Sequence, residues 1–173
     1  RVVRLLLRRA ARPAAARQEA HEPPGEEGRD RVGQQLHPAA EPLIVHAALL
    51  APEPIPLFLF SQGRENFGEP LATALEGDGL DEAAAALRTF ALIDRETIAD
   101  ERDPTITTEC IRLHRLVRQV AAARCEGEAR EGARRVLVEA LVAAYPENIW
   151  RDPHTWPLSR RLDSLALALV GDE

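Results

Sequence analysis

The sequence predicts a mostly α-helical fold, a winged helix followed by a short helical bundle, on three observations. Leu113, Leu116, Val117, Val120 and Ala121 are spaced i, i+3, i+4, i+7, i+8, and Ala133, Val136, Leu137, Ala140, Leu141 and Ala144 follow the same rule. That is the period of an amphipathic helix. Just before them the period shortens: Phe90–Arg95 is short and apolar, and Thr105–Leu113 is rich in Thr and Ile, which reads as a hairpin. The order helix, helix, helix, two-stranded hairpin, helix is the outline of a winged helix.

Each element has a local cause. Pro42 stands where a first helical turn tolerates proline. The run Leu43, Ile44, Val45, Ala47, Ala48, Leu49, Leu50 then makes a helix apolar on nearly all sides, hence buried. Pro52, Glu53 and Pro54 end it. A short helix, Leu57–Gln62, starts after Pro56 and closes on Gly63 in the C′ role. Pro70–Glu76 is another, stopped by Gly77 and Gly79. Asp81 is the expected N-cap of a third helix, which presents Ala83, Leu87, Phe90 and Ala91. Glu96–Pro104 is the hairpin loop. After Pro146 a proline-rich corner, 147–157, carries Trp150 and Trp156. A last helix shows Leu158, Leu162, Leu165, Ala166 and Leu169 on one face. That face covers its own domain or waits for a further helix.

Three regions follow: a basic, Pro/Gly-rich tail over 1–38, expected to be disordered; a winged-helix domain over 39–126; and a helical bundle over 127–173. No internal repeat is visible.

Charge and composition exclude several functions. The 173 residues hold 22 Arg, no Lys and 28 acids, a net charge of −6. Residues 1–17 carry six Arg and no acid, so the remaining chain sets 16 Arg against 28 acids, a net of −12. Such a chain is a poor general binder of nucleic acid. Without Lys there is neither a Walker A phosphate loop nor Schiff-base chemistry. No apolar run approaches the ~18 residues that a membrane span needs. The absence of Met leads us to expect that Arg1 does not start a reading frame. Hydrophobic content of 45% supports a folded chain.

Cys110 and Cys125 make no disulfide framework. With His114 and His154 they lack the tight ligand pairs of a zinc site, so no metal is expected. No serine stands in a nucleophile elbow, and no paired carboxylates stand in an apolar setting. The chain is therefore expected not to be an enzyme and to have no catalytic residue. The third helix offers Asp81, Glu82, four alanines and Arg88, which would repel DNA phosphates rather than read a groove. The acidic hairpin loop reads as a solvated wing tip. Trp150 and Trp156 are expected to lock the corner against the last helix, although aromatic residues also serve as partner anchors.

Several stretches together resemble a known family. Leu49-Leu50-Ala51-Pro52-Glu53-Pro54-Ile55-Pro56 and Leu80-Asp81-Glu82-Ala83 running on to Leu87-Arg88 are similar to the winged-helix part of bacterial NB-ARC (STAND-type) ATPases with tetratricopeptide repeats. Leu113-His114-Arg115-Leu116-Val117-Arg118-Gln119-Val120 resembles the segment where these signal-transducing proteins place a nucleotide-sensing histidine. Asp152-Pro153-His154-Thr155-Trp156-Pro157 resembles the junction leading into the helical repeats. The resemblance covers about residues 43–170. Three departures stand out. Residues 1–38 do not look like the helical segment that should precede the winged helix. Arg115 replaces an acidic residue of the plant and animal relatives, and the phosphate loop is missing, so the ATPase core is expected upstream of residue 1 or not at all.

The resemblance implies a non-catalytic, cytoplasmic, nucleotide-state-sensing role. His114 would contact the ADP phosphate, with Arg115 or Arg112 adding charge and Leu113, Leu116, Val117 and Val120 placing it by packing. The chain would hold no cofactor in isolation and meet ADP or ATP only through an upstream nucleotide-binding domain. Downstream helical repeats and other proteins would be its partners. The alternatives are a stand-alone interaction or adaptor fragment and, behind it, a DNA-binding regulator.

Overall fold

The computed structural model describes residues 37–170, so the tail expected over 1–38 lies almost wholly outside it. The described chain is mostly helical with one small antiparallel sheet. Helix α1, Ala40–Leu49, buries Leu43, Ile44, Ala47 and Ala48. His46 also turns inward, its ring edge-on to Phe67 at 5.1 Å between centroids. Its Nδ1 lies 2.9 Å from the Pro42 carbonyl. Burial holds this imidazole below its ordinary pKa. Strand β1, Ile55–Pro56, leads straight into helix α2, Leu57–Gln62. A 3-10 turn, Arg64–Phe67, joins it to α3, Leu71–Ala74, and then to α4, Gly79–Thr89. The hairpin is β2, Ile93–Ala99, and β3, Thr107–Leu113. Helices α5, Arg115–Ala122, α6, Gly127–Ala144, and α7, Trp156–Val170, complete the fold.

The sheet has a third strand that local reading missed. The order is β1-β3-β2, with Ile55 opposite Ile111 and Pro56 opposite Cys110. Two residues, one of them proline, carry no periodic signal, and proline is tolerated on an edge strand. The β2–β3 pairing runs from Ile93 opposite Leu113 to Ala99 opposite Thr107. Glu96–Ala99 are therefore strand residues, not loop. The polar side chains of Glu96 and Thr97 are satisfied by cross-strand partners: Arg112 Nε donates to Glu96 Oε1 at 2.8 Å, and Thr97 Oγ1 to Glu109.

Two expected caps act differently. α4 starts at Gly79, so Asp81 lies inside its first turn. There it takes a 2.6 Å hydrogen bond from Arg95 Nη1, tying α4 to β2. Gly63 has φ −81°, which any residue can adopt. Its need is space: a Cβ there would fall 2.6 Å from Ala140 Cβ and 2.7 Å from the Leu59 carbonyl oxygen. Gly63 is where α2 and α6 touch backbone to side chain. A single hydrophobic core runs from α1 through α7, with Phe60, Ile111, Leu137, Leu162 and Leu165 fully buried.

The hairpin tip is stitched to α7 rather than left as a solvated loop. Asp100 is 6% exposed. Both its oxygens accept from Arg160 Nη2 at 2.7 Å. The Arg102 and Asp103 amides donate to Oδ1 at 2.9 and 3.2 Å. Next to it, Arg161 Nη2 donates to the Ala99 carbonyl at 2.7 Å. The Arg160 bond holds the Asp100 carboxyl down to about 2 from its ordinary 3.8, against an opposing push from desolvation, with the two amides assisting. Among the described residues no helix is long and apolar enough to cross a membrane.

Two outcomes follow. Gly63→Ala should cost about 1–3 kcal/mol by overpacking, read from urea unfolding; an unchanged midpoint would contradict the close α2–α6 contact. Asp100 is ionised more readily in the folded chain, so its contribution is complete above pH 3.8 and disappears as pH falls through about 2. Arg160→Gln should therefore be less stable than the parent above pH 3.8. That difference should shrink toward pH 2, and a constant difference would refute the tether.

Candidate functional site

The residue singled out in the sequence, His114, stands at the joint between β3 and α5. Pairing ends at Leu113, opposite Ile93. His114 has φ −59° and ψ 138°, the extended backbone of an N-cap position. Its amide donates to the Leu92 carbonyl at 3.2 Å, and its carbonyl accepts the first α5 bond from Arg118 at 3.0 Å. The backbone is thus held on both sides. The imidazole is 45% exposed, with Nε2 3.7 Å from Asp94 Oδ2. A helix N-terminus favours an anion, and the ring stands beside that terminus.

The two flanking arginines differ. Arg112 shares the outward face of the sheet with Asp94, Glu96 and His114, and Glu96 holds it. That bond raises the Arg112 pKa. Arg115 is the first residue of α5 and is exposed. Its side chain makes no hydrogen bond or ion pair among the described residues, so it is the cation available to an approaching anion.

Packing beneath His114 differs from expectation at Leu116 and at Val120, which is only part-buried and lies outside the core cluster. Leu113 and Val117 are buried, whereas Leu116 is 73% exposed. The spacing rule marks Leu116 as apolar, but α5 turns it away from the core. Its place in anchoring the helix is taken by Arg118, which periodicity could not rank because it is charged. Arg118 Nη1 reaches the C-terminal carbonyls of α1: Ala47 at 3.3 Å, Ala48 at 3.5 Å, and Leu50. Nη2 is buried with no partner among the described residues. Desolvation lowers the Arg118 pKa. A cation at helix carbonyls is favoured by the dipole.

The other candidates lie elsewhere. Cys110 and Cys125 are free and buried. Burial pushes the Cys110 thiol up to about 11, which makes it inert. Among the described residues no group of three or more His, Cys, Asp and Glu side chains could hold a metal ion. Trp156 does fasten the corner, donating from Nε1 to the Ile149 carbonyl at 2.8 Å. Trp150 does not; it is 95% exposed. With Arg102, Trp156 and Arg160 it borders a shallow cavity of about 320 Å³.

His114 and Arg115 thus stand exposed at the start of α5, with the Asp94 carboxylate beside the imidazole. The chain matches no family model, no curated protein and no solved structure.

Arg118→Met would leave the α1 carbonyls without their donor. It should destabilise the chain by about 1–3 kcal/mol, measured by chemical denaturation. A neutral effect would show that water serves those carbonyls equally well.

Proposed function

We propose that residues 39–126 are a winged-helix unit and that the chain is the non-catalytic, nucleotide-state-sensing portion of an NB-ARC (STAND-type) signal-transduction ATPase. The reading rests on the resemblance of the sequence segments and on the position of His114, which carries it. The histidine sits at a strand-to-helix joint with a rigid backbone, a half-exposed ring and a helix N-terminus alongside. Arg115 is the second anion ligand in this reading, because Arg112 is engaged by Glu96. The upstream nucleotide-binding domain would present ADP, the α6–α7 end would lead toward helical repeats, and the assembly would act in the cytoplasm.

A hydrogen bond to a charged group is worth about 1.5–3 kcal/mol, or roughly 10- to 150-fold in a two-state balance. Such a bond biases a switch without doing chemistry. In the full polypeptide, His114→Ala should therefore speed ADP release at least about tenfold and raise basal signalling. Unchanged ADP release would defeat the sensor reading.

A second reading, a protein-interaction or adaptor fragment, is favoured by the exposed Trp150. It calls for binding that is indifferent to ADP and to His114→Ala. A DNA-binding role is disfavoured by Asp81 and Glu82 on the exposed side of α4.

A further inference from the structure

We infer that the cavity between the hairpin tip and the start of α7 binds a small planar aromatic anion. One face of α7 supplies its floor: Trp156, Ser159, Arg160 and Asp163 are spaced i, i+3, i+4, i+7 and all line it. Arg102 from the hairpin tip and Trp150 from the proline-rich corner, both exposed, stand at its rim. The cavity lies at the far end of the hairpin from His114, because the β2–β3 pairing starts at Ile93 and Leu113 and ends at Ala99 and Thr107. Its volume of about 320 Å³ is at the small end of the ~300–1,000 Å³ range of small-molecule sites.

The walls are held in place before any ligand arrives. Arg160 Nη2 donates to both oxygens of Asp100 at 2.7 Å, and Asp100 Oδ1 accepts the Arg102 amide at 2.9 Å. One tether therefore fixes α7, the hairpin tip and the backbone that carries the Arg102 guanidinium. The Trp156 ring is pinned through its Nε1 to the Ile149 carbonyl at 2.8 Å. Ser159 is 4% exposed and gives its hydroxyl proton to the Thr155 carbonyl at 3.2 Å. A site that is already ordered gives up less freedom on binding.

Two features define the ligand. The first is the pair of indoles. Trp150 is 95% and Trp156 42% exposed, and neither ring packs against another aromatic ring among the described residues. Two unpartnered indoles beside one cavity suit a flat apolar ring, which gains from stacking as well as from burial. The second is charge. Asp100 offsets Arg160, and Asp163 Oδ1 already accepts from the Tyr145 hydroxyl at 2.6 Å. Arg102 is different: its side chain makes no hydrogen bond or ion pair among the described residues, so all five of its N–H donors are unspent. A guanidinium takes a carboxylate through two parallel hydrogen bonds. A flat ring that carries a carboxylate answers both features.

Titration of residues 1–173 with 2-naphthoate, followed by heteronuclear NMR, tests this. The chain has two tryptophans and both border the cavity, so its two indole N–H signals report on this site. Both should shift and saturate with a Kd of about 1 mM or below. Naphthalene-2-methanol, the same ring without the charge, should bind about fivefold more weakly, and 2-naphthylmethylammonium more weakly still. Arg102→Gln should cost naphthoate about fivefold and leave the alcohol unchanged. Trp150→Ala, at an exposed position, should keep the parent's melting curve and weaken both by about tenfold. No indole shift at ~10 mM naphthoate, equal binding of the three probes, tighter binding of the ammonium, or an Arg102→Gln chain that binds naphthoate as the parent does would overturn the inference.

Discussion

The guanidinium of Arg118 on the end of α1 is the contact around which the rest of the described fold is arranged. Helix α1 is apolar on nearly every side and lies inside the core. Its last carbonyls point into the protein, where unpaired acceptors are costly. The chain then passes through Pro52 and Pro54, which supply no amide. A long donor from another element has to reach in. Arg118 does so from α5, and in doing so fixes α5 against α1. The orientation of α5 in turn sets where β3 ends and where His114 stands. The other terminal nitrogen of Arg118 is buried with no partner among the described residues.

The two ends of the hairpin are held by different means. At the α5 end, backbone bonds from Leu92 and Arg118 fix His114. At the tip, Arg160 and Arg161 of α7 grip Asp100 and Ala99. The hairpin is thus fixed at its base to α5 and at its tip to α7. A signal arriving at His114 would meet a rigid joint rather than a loose loop. Arg115, unengaged beside it, differs in kind from Arg112, whose charge is already spent on Glu96.

Much of this was legible in the sequence, and the misses have physical causes. The apolar periods of α5, α6 and α7 located those helices because each buries one face. The Thr/Ile-rich stretch located β3. Strand β1 was invisible because two residues make no pattern, and its pairing with β3 is long-range. The strand part of Glu96–Pro104, Glu96–Ala99, is hidden by its place in a polar run and by the charge of Glu96, which Arg112 meets across the strands. Gly63 was found as a helix stop, but its reason lies across the core at Ala140. Leu116 and Trp150 show the opposite failure: both are apolar, both were expected to pack, and both face outward. His114 came from a resemblance of short segments. Nothing in periodicity or composition would have separated it from an ordinary capping histidine.

The central claim is that this chain is one part of a nucleotide switch. It is tested most directly by the mass and peptide map of the native polypeptide, captured from its source with an antibody against residues 43–170. The account predicts a protein much larger than 19.1 kDa, with a phosphate-binding loop N-terminal to these residues and helical repeats C-terminal to them. A native product of about 19.1 kDa beginning at Arg1 would contradict it and leave the interaction-fragment reading in its place.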